Sequence, residues 1–367
     1  MANQVALQGS GDSASAASSS YNGSTPSSPY PMGSSSTGGA AQSPISVNYD
    51  SALRFDFAAE WDIPIENVTL HEVIGRGTFG TVYRGNWHGE VAVRKLDFAA
   101  DKDEEPGRVA AFRREVELLH KSRHGNLCLF MGACMKAPDF AILTSFSKGE
   151  TLFYQLHQRR TGMFANRAIN IASQVANGMG YLHAKGILHK DLKTRNIFIE
   201  QNSRVLISDY GLFNFVRLCR NRVPTAGSAY LNAPPEWFCS IAPEILRTLN
   251  IHHARANEAT ELPFTIYSDI YAFGTIWYEL LTNEFPYKGL PSEAILLQAG
   301  KGLKQSMRIP GPKDFKEFLN LCWAYEAQKR PGFSNIVKLL DRMPKLHRSP
   351  SYPAKPTTVM TSSHHNA

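Results

Sequence analysis

Three glycines mark the first part of the sequence whose residue types and spacing could do chemistry. Gly75, Gly77 and Gly80 precede Val82 in a GxGxxGxV pattern. A glycine loop of this kind can approach nucleotide phosphates closely and bind them through backbone N–H groups. A dinucleotide-binding motif would open a helix, whereas the sequence after Gly80 continues as a strand. The motif alone leaves a glycine-rich hairpin without a ligand as an equal alternative.

Further motifs follow in a fixed order along the chain. Arg94 ends a Val-Ala-Val-Arg run on a predicted strand, and Glu115 lies in the helix predicted next. Residues 188–196 read LHKDLKTRN, residues 209–211 read DYG, and residues 242–244 read APE. Together with the glycine loop, this order and spacing resembles that of protein kinases.

The resemblance to kinases implies a role for each polar residue. Asp191 would orient or deprotonate the acceptor hydroxyl, and Lys193 would neutralise the transferring phosphoryl group. Asn196 and Asp209 would hold Mg²⁺. ATP would contact residues of the glycine loop, the strands and the first helix: Gly75, Gly77, Phe79, Gly80, Val82, Ala92, Arg94 and Glu115.

Two further carboxylates are expected to stabilise the fold rather than take part in chemistry. Glu244 of the APE motif would form an ion pair with Arg330 of a Lys-Arg-Pro sequence. Asp269, near the start of a predicted helix, would support the catalytic loop from below.

The main departure from the kinase pattern is Arg94, which stands where kinases place a lysine that reaches the α- and β-phosphates. Lys95 cannot replace it, because successive strand residues point to opposite faces. A guanidinium suits carboxylates, so we expect Arg94 to pair firmly with Glu115 and to fit phosphates poorly. If losing one preorganised donor costs roughly 10²–10³ in rate, a kinase turnover of about 1–100 s⁻¹ falls to roughly 0.001–1 s⁻¹.

Two smaller departures lie in the same motifs. Lys190 replaces the arginine that usually precedes the catalytic aspartate, so a planar fork becomes a point charge and activation by phosphorylation should weaken. Tyr210 replaces a phenylalanine and keeps its aromatic body. We expect Tyr210 to fill the same apolar slot, beside Leu119, Phe130 and His189.

The surrounding elements predict an α+β, bilobal protein-kinase fold. Residues 68–75, 81–87 and 90–96 read as strands of a small antiparallel sheet, followed by one helix at residues 109–121. A larger, mainly helical part follows, because apolar residues recur at helical spacing in four segments that begin near Ala168, Ile270, Phe315 and Phe333.

Composition sets the domain boundaries. Of the first 50 residues, 31 are Ser, Gly, Pro or Ala, which predicts a disordered tail over residues 1–59. Residues 60–346 form the predicted kinase-like domain, and residues 347–367 return to a Ser, Thr, Pro and His composition that predicts a second tail.

The same composition excludes several classes of protein. No apolar run approaches the roughly 20 residues that span a bilayer. The formal charge of +7 is dispersed, without the aromatic-interleaved basic stripe typical of nucleic-acid binding. The five cysteines contain no CxxC pair, which argues against a zinc module or a disulfide framework. We expect a cytoplasmic protein with reduced thiols.

Longer stretches resemble one family, the kinase-like region of kinase suppressor of Ras, a group of Raf-related pseudokinases. Residues 85–94 include the arginine found in that family, and residues 178–193 are close to its catalytic-loop text, Lys190 included. Residues 129–135 and 142–149 resemble its nucleotide-flanking strand and hinge, which would make Thr144 the nucleotide-binding gatekeeper. The similarity extends over nearly the whole predicted domain.

The resemblance implies a scaffold and allosteric activator of the Ras, Raf, MEK and ERK cascade, which binds ATP, MEK and Raf with weak or absent phosphotransfer. Arg123 would lie at the seam of a side-to-side homodimer or heterodimer. MEK would be held around residues 226–241 and 293–299. The family's cysteine-rich membrane module is not found in this sequence, so any recruitment to the plasma membrane would go through partners.

Two alternatives and one further site remain open. An active Raf-like Ser/Thr kinase is the main alternative, since Asp191, Lys193, Asn196 and Asp209 are all present. A tyrosine kinase is disfavoured by the DLK sequence of the catalytic loop. Residues 348–353 read RSPSYP, a spacing that resembles a 14-3-3 ligand once Ser351 is phosphorylated.

Overall fold

The computed structural model describes residues 61–77, 80–96, 105–136, 138–211, 235–248, 262–303 and 309–344. Its first layer is a five-stranded antiparallel sheet in the order β1-β2-β3-β5-β4. The strands are β1 (Thr69–Gly77), β2 (Gly80–Asn86), β3 (Glu90–Lys95), β4 (Phe130–Cys134) and β5 (Ala141–Ser145). A tight turn joins β2 to β3, where His88 and Gly89 have positive φ angles and Trp87 N–H donates to the Gly89 carbonyl.

The two faces of this sheet carry different side chains, because successive residues of a strand point to opposite faces. One face carries a small apolar cluster: Ile63, Val68, Val91, Val93, Cys134, Ala141 and Leu143. On β3, Ala92 and Arg94 alternate with Val91 and Val93 and point to the other face, towards the candidate site.

One helix, α1 (Glu105–His120), follows the first three strands. It begins four residues before the predicted start at Val109. Pro106 explains the difference, since a proline is tolerated in a helix's first turn, where its missing N–H would have no partner. The buried residues Phe112, Val116 and Leu119 form its inner face.

A second, three-stranded sheet in the order β6-β7-β8 was not predicted. Its strands are β6 (Glu150–Thr151), β7 (Ile197–Ile199) and β8 (Val205–Ile207). Two or three residues carry no detectable period, which is why sequence patterning missed them.

The rest of the described chain is mainly helical. The helices are α2 (Ala165–Ala184), α3 (Pro235–Ser240), α4 (Pro243–Leu246), α5 (Ile266–Thr282), α6 (Ser292–Gly300), α7 (Lys313–Cys322) and α8 (Phe333–Asp341). A π-helical turn covers Tyr154–Gln158, and 3-10 turns cover Ile65–Asn67, Thr194–Asn196 and Ala327–Lys329. The four predicted helical periods correspond to α2, α5, α7 and α8, and the α+β bilobal class is confirmed.

Helix α5 lies at the centre of the larger core. All residues from Ser268 to Leu280 are buried, as expected of a helix that is surrounded by other elements. Thr265 and Ser268 form a reciprocal capping box at its start. Trp277 donates its indole N–H to the Phe315 carbonyl at 3.1 Å.

The cysteines of the described region share one environment. Cys128, Cys134, Cys239 and Cys322 are buried as free thiols. Burial raises the pKa of Cys128, Cys134 and Cys239 to about 12. Cys219 lies outside the described residues. Over the described ranges, no helix is both long and apolar enough to cross a membrane.

Candidate functional site

Four predicted nucleotide-binding residues share one face of the sheet. Strand pairing sets Val82 opposite Arg94 and Ala92 opposite Thr144. Directly opposed residues point to the same face, and so do residues two apart on one strand. Val82, Ala92, Arg94 and Thr144 therefore line a single surface, although binding of a nucleotide there remains a prediction.

The glycine loop joins β1 to β2, with Gly75 paired to Val82 and Gly77 paired to Gly80. Gly80 has a φ of +107°, and a Cβ there would collide with the backbone carbonyl of Lys95. Its glycine is therefore required by the hairpin itself, whatever it binds. Phe79 lies outside the described residues.

Arg94 makes the main electrostatic contact of the site. Its Nη2 atom donates to both carboxylate oxygens of Asp209, each at 2.7 Å. The Arg94 side chain is 14% exposed, so the pair is largely screened from water. The expected ion pair between Arg94 and Glu115 is not among those of the described residues. The prediction of Glu115 as the partner was wrong, because Asp209 lies within reach of the same guanidinium.

Lys95 points away from this surface, as predicted. Its Nζ lies 2.6 Å from Oδ1 of Asp139, in a pair that is about one-third exposed. The neighbouring lysine therefore does not supply the ammonium that a kinase places at Arg94.

Glu115 faces a cavity of about 120 Å³ between α1 and the catalytic loop. The cavity is lined by Glu115 and Lys190, with apolar side chains of Leu118, Leu119 and Ile187 around them. Glu115 thus lies near Lys190, the residue that precedes Asp191.

The catalytic loop brings together three predicted residues. Lys193 Nζ lies 2.9 and 2.7 Å from the two carboxylate oxygens of Asp191. Asn196 donates its side-chain N–H to the Asp191 carbonyl at 2.8 Å and to its carboxylate at 3.3 Å. Asp191 and Asn196 are buried, so their positions are fixed by packing as well as by hydrogen bonds.

Asp269 supports this loop from α5, which confirms the expected contact. Its Oδ1 accepts the backbone N–H of Lys190, and its Oδ2 accepts that of His189, both at 2.9 Å. His183 adds a third contact to Oδ2 at 2.9 Å. These bonds hold Lys190 in a left-handed conformation, with φ of +65°, that a non-glycine residue adopts only at a cost.

Tyr210 is buried in the main core, as expected, but its hydroxyl does more than fill space. It donates to the Cys128 carbonyl at 2.9 Å and lies 3.1 Å from Ser122 Oγ. Ser122 in turn donates to the Leu119 carbonyl at 2.6 Å. These hydrogen bonds connect Tyr210, the residue after Asp209, to the segment that follows α1.

The ion pair of Glu244 with Arg330 is also confirmed. Two nitrogen atoms of Arg330 contact the two carboxylate oxygens at 2.7 and 2.8 Å. Arg330 also donates to the carbonyls of Ala324 and Tyr267. A bidentate pair of this kind fixes the end of the APE motif to the helical core.

The residues predicted to meet partners are only partly described. Arg123 is exposed just after α1, and its backbone N–H donates to the Tyr181 hydroxyl at 2.9 Å. Residues 293–299 lie within α6, whereas residues 226–234 and Ser351 lie outside the described residues.

The sequence that forms these elements matches a known protein family. The sequence profile of the family described as protein tyrosine and serine/threonine kinase matches residues 68–340. This chain belongs to the protein kinase family. The kinase domain so defined contains all the predicted catalytic and nucleotide-binding residues.

The similar proteins include members of two groups. The chain is 43% identical over 300 residues to kinase suppressor of Ras 2 from Homo sapiens and from Mus musculus. It is 35% identical over 303 residues to serine/threonine-protein kinase A-Raf from Homo sapiens. The aligned region is 81% of this chain and 30% of the suppressor proteins, and 80% of this chain and 47% of A-Raf. The resemblance to the kinase-like region of kinase suppressor of Ras is confirmed, and the domain is Raf-related.

Kinases as a family use ATP with Mg²⁺, so the predicted metal ligands can be tested against the geometry. Asp209 already binds the Arg94 guanidinium through both carboxylate oxygens. Asn196 donates through its amide nitrogen to Asp191, which leaves its Oδ1 atom as an oxygen ligand. Mg²⁺ needs oxygen ligands in near-octahedral geometry. As arranged, these two residues do not form that site, because one ligand is held by a competing cation.

Proposed function

We propose that this kinase domain is a scaffold and allosteric activator in Ras, Raf, MEK and ERK signalling, with weak or absent phosphotransfer. It would bind ATP, pair side to side with itself or with Raf, and hold MEK near α6. The observation that carries the proposal is Arg94, which occupies the lysine position and is bonded to Asp209 at 2.7 Å. A guanidinium engaged in this way does not offer the α- and β-phosphates the free ammonium that a kinase lysine provides.

The similarity to kinase suppressor of Ras 2 supports this function over general kinase activity. The aligned region covers 81% of the chain. Residues 85–94 and 178–193, which contain Arg94 and Lys190, resemble that family in sequence.

An active Raf-like Ser/Thr kinase that phosphorylates a MAP kinase kinase is the second candidate. Asp191, Lys193 and Asn196 are bonded to one another in an ordered loop, supported by Asp269. The similarity to A-Raf favours the same reading.

Phosphotransfer distinguishes the two candidates. Purified chain is mixed with magnesium ATP and a catalytically inactive MEK, and phosphate incorporation is measured over time. A scaffold should show turnover of at most about 1 s⁻¹, the top of the range left after loss of a preorganised donor. Faster turnover by the chain alone would contradict the scaffold and support the Raf-like kinase.

Partner binding tests the scaffold directly. The tagged full chain should capture MEK and Raf from solution, and Arg123→His should reduce capture of Raf but not of MEK. Arg342→His is the matched control, because Arg342 is also an exposed arginine at the end of a helix. Equal losses for both variants would exclude a specific seam at Arg123.

Two further parts of the proposal concern the chain outside the described residues and its location. Phosphorylated Ser351 would bind 14-3-3 proteins, which a binding assay with the phosphorylated and unphosphorylated chain can test. The protein would act in the cytoplasm and reach the plasma membrane through its partners.

A further inference from the structure

We propose that this kinase domain binds nucleoside triphosphate without a divalent cation, because Arg94 takes the place of the metal at Asp209. The inference rests on the proposed nucleotide binding and extends it by naming the ionic form of the ligand. It also predicts that Mg²⁺ and Arg94 compete for one carboxylate.

Asp191 and Asp209, two carboxylates of the candidate site, are each paired with a cation of the chain. Lys193 Nζ lies 2.7 Å from Asp191, and Arg94 Nη2 lies 2.7 Å from Asp209. In a kinase, metal ions held by the aspartate and asparagine bridge the phosphates and offset the negative charge. Here the four side chains sum to zero charge, so a triphosphate meets no net repulsion from them.

The position of Arg94 on Asp209 explains why the two cations exclude each other. Nη2 is equidistant from Oδ1 and Oδ2, and so occupies the region between the two oxygens. A metal ion there would stand against a unit positive charge only a few ångströms away, in a pair that is mostly screened from solvent. Mg²⁺ can bind Asp209 fully only if the guanidinium leaves.

Arg94 retains donors for a phosphate while it holds Asp209. A guanidinium has five N–H groups. Within the described part of the chain, the recorded contacts of Arg94 use Nη2 alone, which leaves the Nε and Nη1 hydrogens. Its strand β3 is central in the sheet, paired on both sides by β2 and β5, so the side chain starts from a fixed backbone.

The test measures the affinity of the full chain for ATP, by calorimetry, in EDTA and in excess magnesium chloride. We expect the wild-type dissociation constants in the two buffers to agree within about threefold. That is well below the tenfold change that a free-energy difference of 1.4 kcal/mol would produce. The shorter, single-point ammonium of Arg94→Lys should release Asp209. That variant should then bind ATP at least about tenfold more tightly with magnesium than without it.

Lys95→Arg is the matched control, because Lys95 is the adjacent cation on the opposite face, paired with Asp139. It should keep the wild-type independence from magnesium. Wild-type binding of ATP that requires magnesium would overturn this inference but leave the proposed nucleotide binding intact. Magnesium-independent binding of ATP by the Arg94→Lys variant would do the same. If ATP binds in neither buffer, the proposed nucleotide binding fails and this inference with it. Lost capture of MEK with intact binding of ATP would contradict only the scaffold.

Discussion

At the scale of single residues, Tyr210 shows how one hydroxyl group connects two motifs. Sequence reasoning placed its ring in an apolar slot but could not find its partners, the Cys128 carbonyl and Ser122, which lie more than 80 residues away. Burial raises the pKa of this hydroxyl to about 12, so it remains a neutral donor across the physiological range.

Replacing Tyr210 with Phe should therefore reduce stability. The change removes the donor to the buried Cys128 carbonyl, which should lower the free energy of unfolding by about 1–2 kcal/mol. Urea denaturation measures the loss. Tyr325→Phe is the matched control, because Tyr325 is exposed and its hydroxyl lies 3.5 Å from the Gly300 carbonyl. Equal effects would show that the Tyr210 hydroxyl contributes nothing specific.

His189 provides a pH-dependent prediction. Burial lowers its pKa below the ordinary value of 6.5, and neither ring nitrogen has a hydrogen-bond partner among the described residues. Below pH 6.5 the unfolded chain therefore binds a proton that the folded chain does not. The free energy of unfolding should fall with decreasing pH, by up to about 1.4 kcal/mol per pH unit from this group.

His189→Phe should flatten that pH dependence, since a phenyl ring does not titrate. The measurement is urea denaturation at several pH values between 5 and 7.5, a range chosen around the ordinary histidine pKa. His71→Phe serves as the control because His71 is exposed. A slope unchanged by His189→Phe would mean that other groups cause the pH dependence.

The order of motifs in the sequence was enough to predict some contacts between residues. It was not enough where the partner depends on distances in the folded chain. The contacts of Asp269 with the catalytic loop and of Glu244 with Arg330 followed from motif order. The partner of Arg94 could not be predicted in this way, because Glu115 and Asp209 are both carboxylates near the site. Which one is bound depends on the position of α1 relative to β3, and no residue pattern encodes that distance.

At the scale of elements, α5 organises the catalytic loop from its first turn. Its capping box fixes the helix start, which places Asp269 under His189 and Lys190. Long periodic helices such as α5 were predictable from sequence. The β6-β7-β8 sheet was not, because its short strands pair over up to 49 residues of sequence, as between Glu150 and Ile199.

Asp269→Asn tests this arrangement. An amide keeps the shape but replaces one acceptor oxygen with a donor, so at least one charge-assisted bond to a backbone N–H is lost. We expect the free energy of unfolding to fall by about 3 kcal/mol. Asp314→Asn is the control, since Asp314 is likewise an acidic residue in a helix's first turn but is exposed. Similar losses would attribute the effect to the helix terminus rather than to the loop.

At the scale of the whole molecule, the predicted kinase-like domain extends from residue 60 to residue 346. The recorded cores lie between Trp61 and Met343. A chain reduced to residues 60–346 should therefore unfold at the same temperature as the full chain, as measured by circular dichroism. A clear drop in melting temperature would show that residues beyond these limits stabilise the domain. The same pair of chains, compared in a 14-3-3 binding assay, would test the role of Ser351.

The buried thiols of the described region have a practical consequence. A thiol with a pKa of about 12 is almost entirely protonated at neutral pH, and a protonated, inaccessible sulfur reacts slowly with alkylating reagents. Once Cys219 is replaced by serine, the rate of modification becomes a native reporter of opening. Modification of Cys128 and Cys134 would report unfolding of the smaller lobe, and modification of Cys239 and Cys322 unfolding of the larger. Mass spectrometry could therefore resolve the order in which the two lobes unfold, without any added dye.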